Sequence, residues 1–272
     1  MKNFTRLFDL ERSQRDGTAD SPPQAPTHEN GAEVTEISTA THVYDTPSIA
    51  VDPLVLERER ILPPGATGEH GPAYKLLRTQ ALKRLEQLGA NTLAVISPCA
   101  ADGKTLTAIN LAIAIAAASG RSALVVDFDL RNPSVHRRFG FEPSVGVEEC
   151  LAARRPVQEA LVKVSGYERL TLLPARGRVE QSSELLSAVR VGEVIAEMRN
   201  RYANRIILFD LPPVLQADDA LAFSQHMQAA LMVVSERLTK RADIARSLEL
   251  MRDIPVIGTV LNQSRTRETR YY

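Results

Sequence analysis

A short apolar run at 92–96 leads into Ser97-Pro98-Cys99-Ala100-Ala101-Asp102-Gly103-Lys104-Thr105, and that loop passes directly into an apolar stretch at 106–119 closed by Gly120. No other feature of the chain limits its fold as strongly. A short apolar run bounded by turn residues reads as a buried strand, and a longer one as a buried helix. The longer run contains Thr107 and Asn110 and falls short of the about 20 residues that span a bilayer, so a core helix is expected. A loop that opens a helix with Gly-Lys-Thr presents backbone N–H groups and the positive end of the helix dipole, which suits phosphate. On this reading Asp102, Gly103, Lys104, Thr105 and Leu106 bind a nucleoside triphosphate. Lys104 reaches its β- and γ-phosphates, and the Thr105 hydroxyl ligates Mg²⁺.

The rest of the chain repeats the alternation. Leu77, Ala81, Leu85 and Leu88 recur at helical spacing before Gly89. Strands are expected at 123–126, 170–173, 206–209, 231–234 and 256–261, with helices between them, among them 184–199 and 242–251. Strands alternating with helices specify an α/β fold, a mainly parallel sheet with helices on both faces. Together with the phosphate loop this resembles a P-loop NTPase.

Residues 12–53 are rich in Ser, Thr, Pro and acidic side chains and poor in large apolar ones, so they cannot bury enough surface to offset ordering. The expected organisation is a disordered tail and linker at 1–71, a P-loop domain at 72–264 and a flexible tail at 265–272. Phe4, Leu7 and Phe8 are spaced for one face of a short helix. Neither a signal peptide nor a spanning segment is expected. The 33 Lys and Arg balance the 33 Asp and Glu. That balance argues against a general nucleic-acid binder, which carries a basic excess. Cys99 and Cys150 are the two cysteines, which excludes a disulfide scaffold, and the five histidines show no metal spacing.

Three strand ends add chemistry. The second strand ends Val126-Asp127-Phe128-Asp129-Leu130-Arg131, which puts two carboxylates on one side of the sheet edge, toward the nucleotide crevice. Another ends Phe209-Asp210-Leu211-Pro212-Pro213, and an aspartate there holds Mg²⁺. The last ends Leu261-Asn262, whose carboxamide suits a purine edge. The loop is irregular: Pro98 and Ala101 occupy positions where glycine is usual. Alanine at a left-handed position costs on the order of 1 kcal/mol.

These motifs in this order resemble the bacterial protein-tyrosine kinases of capsule and exopolysaccharide systems. The likeness covers about 72–272, and its most specific pieces are Val125 to His136, Phe209 to Leu215 with Asp218-Asp219-Ala220-Leu221, and Ser183-Glu184-Leu185-Leu186. The resemblance implies a tyrosine autokinase that uses ATP and Mg²⁺. Lys104 and Thr105 would bind the nucleotide, Asp129 and Asp210 would support the metal, and Asp127 would orient or deprotonate the tyrosine hydroxyl. Asn262 would read adenine, and Tyr271 and Tyr272 would be phosphorylated in trans within a homo-oligomer. It also implies a stand-alone cytoplasmic kinase, peripheral to the inner membrane through a membrane chain-length-determinant (polysaccharide co-polymerase) protein that activates it. The family's Glu-x-x-Arg-x-x-Arg subunit-contact motif aligns with Pro72, Lys75 and Arg78, so the glutamate is missing. Two other readings stay open: a partition or Min-type ATPase without kinase activity, and a decayed nucleotide-binding partner subunit. Cys99 stands where the first of these carries a signature lysine.

Overall fold

A computed structural model describes residues 6–8, 46–118, 120–201 and 204–264. The chain order is β1 (Arg6–Phe8), β2 (Ser48–Ile49), α1 (Pro53–Arg58), α2 (Gly71–Gln87), β3 (Thr92–Ile96), α3 (Lys104–Ala116), β4 (Ser122–Asp127), α4 (Val135–Phe139), α5 (Val147–Ala152), α6 (Val157–Ala160), β5 (Val162–Val164), β6 (Leu170–Leu173), α7 (Ser182–Ser187), α8 (Val189–Arg201), β7 (Arg205–Asp210), α9 (Asp219–Ala222), β8 (Ala230–Ser235), α10 (Arg241–Leu250) and β9 (Val256–Asn262). All nine strands form one sheet in the order β1-β9-β8-β3-β7-β4-β6-β5-β2. From β9 to β6 every pairing is parallel; β1 on β9 and β5 on β6 are antiparallel.

The central strands alternate between two apolar cores. Ala94, Ile96, Leu124, Val126, Ile207 and Phe209 face one, with the apolar side chains of α5, α6 and α8. Leu93, Val95, Ala123, Val125, Ile206 and Leu208 face the other, with α2 and α3. A strand buried on both faces is apolar at every position, which is why these segments read as continuous runs. Helix α3 is buried nearly throughout, so its apolar character extends all round. This places the loop before α3, and the strand ends beside it, at the carboxyl edge of the sheet.

Several expectations are corrected. The folded unit takes in residues 46–71, expected as tail and linker: Ile61, Leu62 and Ala66 are buried, and β2 joins the sheet, as β1 does. Asn110 in α3 explains this capture. Its Oδ1 accepts from Leu62 N at 2.8 Å and its Nδ2 donates to Arg60 O at 3.0 Å. Where a short helix was expected near the amino terminus, Arg6–Phe8 form an edge strand. The single helix expected at 184–199 is two, α7 and α8, separated by Ala188 in extended conformation. The Ser187 hydroxyl donates to Glu184 O at 2.9 Å, a local bond that competes with helix continuation. The tails at 1–5, 9–45 and 265–272, with Tyr271 and Tyr272, lie outside the described residues.

Candidate nucleotide site

The site gathers at the ends of β3, β4, β7, β8 and β9. Lys104 and Thr105 open α3 behind Gly103, whose φ of 93° is left-handed. A Cβ on Gly103 would collide with Asn262 Nδ2, so any other residue there would have to displace that carboxamide as well as adopt a left-handed φ. Ala101 lies at φ 63°, and the left-handed strain expected there is therefore present. Pro98 is not among the left-handed residues, so its place in the loop asks for no glycine. The carbonyls of Ser97 and Pro98 accept from Val214 N and Leu215 N at 2.9 and 3.2 Å, tying the loop to the chain after β7.

Two carboxylates converge on one ammonium. Lys104 Nζ lies 2.8 Å from Asp129 Oδ2 and 3.4 Å from Asp210 Oδ1, all three side chains being buried. Burial pulls the ammonium down, but Asp210 and Asp129 together outweigh it and hold Lys104 above its ordinary value. Thr105 Oγ1 donates to Asp210 Oδ2 at 2.6 Å. Asp127 Oδ2 accepts from Ser134 N and Val135 N, each at 2.9 Å, so this carboxylate caps α4. Burial, reinforced by the Asp210 charge, pushes Asp127 up to about 8 although those amides oppose the shift. Burial also raises Asp210, against Lys104 and the Thr105 hydroxyl.

Packing explains why the two aspartates at and just beyond the end of β4 face one way. Phe128 between them points into the core, stacked on Phe209 at 5.4 Å with Phe223 edge-on to both. Asp127 and Asp129 are left on the crevice side. Beyond them, Arg131 Nε donates to Asp219 Oδ2 at 2.7 Å and Nη2 to Asp218 Oδ1 at 2.9 Å, joining the loop after β4 to the start of α9.

Asn262 and Asp102 have roles the sequence reading did not foresee. Asn262 Nδ2 donates to Asp102 O at 2.9 Å and Oδ1 accepts from Gln263 N at 2.9 Å. The carboxamide expected to read adenine thus braces the loop. The Asp102 carboxylate accepts from Thr239 Oγ1 at 2.6 Å and Cys99 N at 2.9 Å, so only its backbone is available to a phosphate. Gln263, Ser235 and Thr239 were missed; a position at a strand's carboxyl edge was their only signal. Arg78, aligned with the missing-glutamate motif, donates to Ala114 O at 3.1 Å within its own chain.

The residues present suit magnesium. Asp210 Oδ1 is buried and, apart from its 3.4 Å ion pair with Lys104, takes no hydrogen bond among the described residues, beside the Thr105 hydroxyl and Asp129. No group of three or more His, Cys, Asp or Glu side chains among the described residues is arranged as a metal cage. Mg²⁺ uses one or two carboxylates together with water and phosphate oxygens rather than such a cage.

Known proteins were then compared. A family model described as "ParA: NUBPL iron-transfer P-loop NTPase" matches residues 90–270. Tyrosine-protein kinase YwqD of Bacillus subtilis is 28% identical over 204 residues, spanning 73% of this chain and 84% of that protein. Tyrosine-protein kinase wzc of Salmonella typhi is 30% identical over 202 residues, again 73% of this chain but 27% of that protein. Among solved structures, the chimerical protein CapA2B2 superposes with a TM-score of 0.68 at 22% identity, covering 81% of this chain and 94% of the other. The kinase domain of Escherichia coli tyrosine kinase ETK gives 0.64 at 24% identity, over 74% and 79%. The two superpositions establish the fold. With more than half its length matched by the ParA-type model and tyrosine-protein kinases among its relatives, the chain belongs to the P-loop NTPases and, within them, to the bacterial protein-tyrosine kinase family of capsule and exopolysaccharide systems.

Proposed function

We propose that this chain is a protein-tyrosine kinase that transfers the γ-phosphoryl group of ATP to tyrosine, with Tyr271 and Tyr272 of a neighbouring copy as acceptors. The observation that carries this reading is the convergence of Lys104, Thr105, Asp129 and Asp210 at the mouth of one loop, with Asp127 beside them. Magnesium held by Thr105, Asp210 and Asp129 would neutralise charge on the phosphates. Lys104 exchanges its carboxylate partners for β- and γ-phosphate oxygens. The loop amides, from Asp102 to Leu106, orient the phosphates at the start of α3. In the transfer, a bond forms between the tyrosine oxygen and the γ-phosphorus, the bond to the β-phosphate oxygen breaks, and ADP leaves. Asp127 orients the hydroxyl or accepts its proton.

The role proposed for the pathway is regulation of exopolysaccharide or capsule polymerisation and export. Support comes from a succinoglycan biosynthesis transport protein of Rhizobium meliloti, 30% identical over 191 residues but matched over 23% of its length. The wzc proteins are matched over about a quarter of their length. We take the activator to be a membrane chain-length-determinant protein. No helix among the described residues is long and apolar enough to cross a membrane, and recruitment through that partner is proposed.

The test is phosphate mapping by mass spectrometry. Dephosphorylated full-length protein is incubated with ATP and Mg²⁺, with Lys104→Ala alongside. Phosphate on Tyr271 or Tyr272 in the parent and not in the variant is expected. ATP hydrolysis without phosphotyrosine, in the presence as in the absence of the membrane partner, would instead favour a partition-type ATPase.

A further inference from the structure

Two residues of unusual backbone conformation meet across the nucleotide site. Ala101, in the phosphate loop, lies at φ 63°, and Gln263, the residue after β9, lies at φ 56°. Neither is glycine, and left-handed residues with a Cβ persist where their surroundings over-determine them. The surroundings here are explicit. Gln263 Nε2 donates to Ala101 O at 2.9 Å, and Gln263 Oε1 accepts from Ser235 Oγ at 2.8 Å at the end of β8. With both ends of the amide occupied, its orientation follows from its partners: the NH₂ must face the carbonyl. On the next peptide, Asp102 O accepts from Asn262 Nδ2 at 2.9 Å, and the Asp102 carboxylate accepts from Thr239, whose hydroxyl also takes the Ser235 N–H at 2.8 Å. Consecutive side chains at the end of β9 therefore grip consecutive carbonyls of the loop.

We propose that Gln263 is a positioning residue of the nucleotide site, holding Ala101 in the conformation that glycine would adopt unaided, and so setting the loop for phosphate. The proposal rests on the reading of that loop as a nucleotide site. Gln263 is only half-buried and belongs to neither apolar core, so its loss affects the loop rather than the fold.

Gln263→Glu tests this, because it keeps the shape and the Ser235 bond but turns an oxygen toward the Ala101 carbonyl. Three measurements on the full chain are compared for the parent, Gln263→Glu and the Ala101→Gly, Gln263→Glu double variant. They are the thermal midpoint, hydrogen exchange of amides 97–105 without nucleotide, and titration with a fluorescent ADP analogue plus Mg²⁺. Gln263→Glu is expected to leave the midpoint within experimental error, to speed exchange in the loop, and to weaken ADP binding about 10-fold, equivalent to ~1.4 kcal/mol. Ala101→Gly is expected to recover most of that loss, which damage to the fold would not permit. Unchanged exchange in Gln263→Glu, or a double variant no better than the single one, overturns the proposal. If the parent itself binds no nucleotide, the nucleotide-site reading falls, and exchange with its rescue by Ala101→Gly still decides whether Gln263 holds the loop.

Discussion

Asp127 and Asp210 end neighbouring parallel strands as register partners, and both side chains are fully buried. The backbone joins them as well, Phe128 N donating to Asp210 O at 2.8 Å. Two acids so placed cannot both ionise cheaply away from water. The chain separates their tasks: Asp127 takes the amides that start α4, and Asp210 takes Lys104 and Thr105.

The pH dependence of the nucleotide-free protein should show this pair. Because the folded Asp127 carboxyl sits at about 8, well above its unfolded range, its contribution to stability is complete below that range and is lost as pH rises through about 8. The thermal midpoint of the parent should fall from about pH 4 to about pH 8 and level off above that, and Asp127→Asn should flatten that fall. Parallel profiles for the two proteins would refute the assignment.

Lys104→Ala removes the cation that, among the described residues, is buried with these acids. The two carboxylates it neutralises stay behind, and loss of one partner from a buried pair costs about 3–5 kcal/mol. Chemical denaturation should show a loss of that order in the nucleotide-free protein. Isothermal titration should show nucleotide affinity lower by roughly 100-fold or more, the scale of losing one electrostatic clamp on a phosphate.

Arg131 spans two carboxylates, one fully buried and one exposed. Lysine cannot bridge both, having a single head in place of a planar fork. Arg131→Lys should cost about 1 kcal/mol and Arg131→Ala about 2 kcal/mol, less than for a fully buried pair because the guanidinium reaches solvent. Urea unfolding measures both. Equal stability of all three proteins would mean that the bridge does not hold the two loops together.

The cysteines should separate by reactivity. Burial pushes Cys150 up to about 11, whereas Cys99 lies part-exposed in the loop. A neutral alkylating reagent at pH 8 should modify Cys99 in the native protein and reach Cys150 only after unfolding, as read by peptide mass. Equal native labelling would contradict the burial of α5 against the sheet.

Much of this was legible in the chain itself. The six parallel strands and α3 were readable because burial on both faces leaves an uninterrupted apolar signature. Lys104, Thr105, Asp129 and Asp210 were readable because a strand end followed by a particular polar residue has few uses. Gln263 was not, because its importance comes from reaching Ala101 across 162 positions of sequence, and no local pattern carries such a contact. Asn262 was placed at the edge, but its hydrogen bond to Asp102 O was not foreseen, for the same reason. The segment at 46–66 was hidden because its apolar side chains, broken up by prolines, keep no sustained helix or strand period, and its attachment depends on a few of them and on hydrogen bonds to Asn110.

That attachment sets the smallest piece of the chain able to carry the site. Cutting before residue 72 would strip Asn110 of both its partners and Tyr167 of the Leu62 carbonyl it reaches at 2.8 Å. A buried polar group left unpaired costs about 1–3 kcal/mol, and each of these would then sit against or near α3, whose first turn holds Lys104 and Thr105. A fragment trimmed to the motifs would keep every residue that touches nucleotide and lose the backing that keeps them in place. Material for crystallisation or assay should therefore start no later than residue 46.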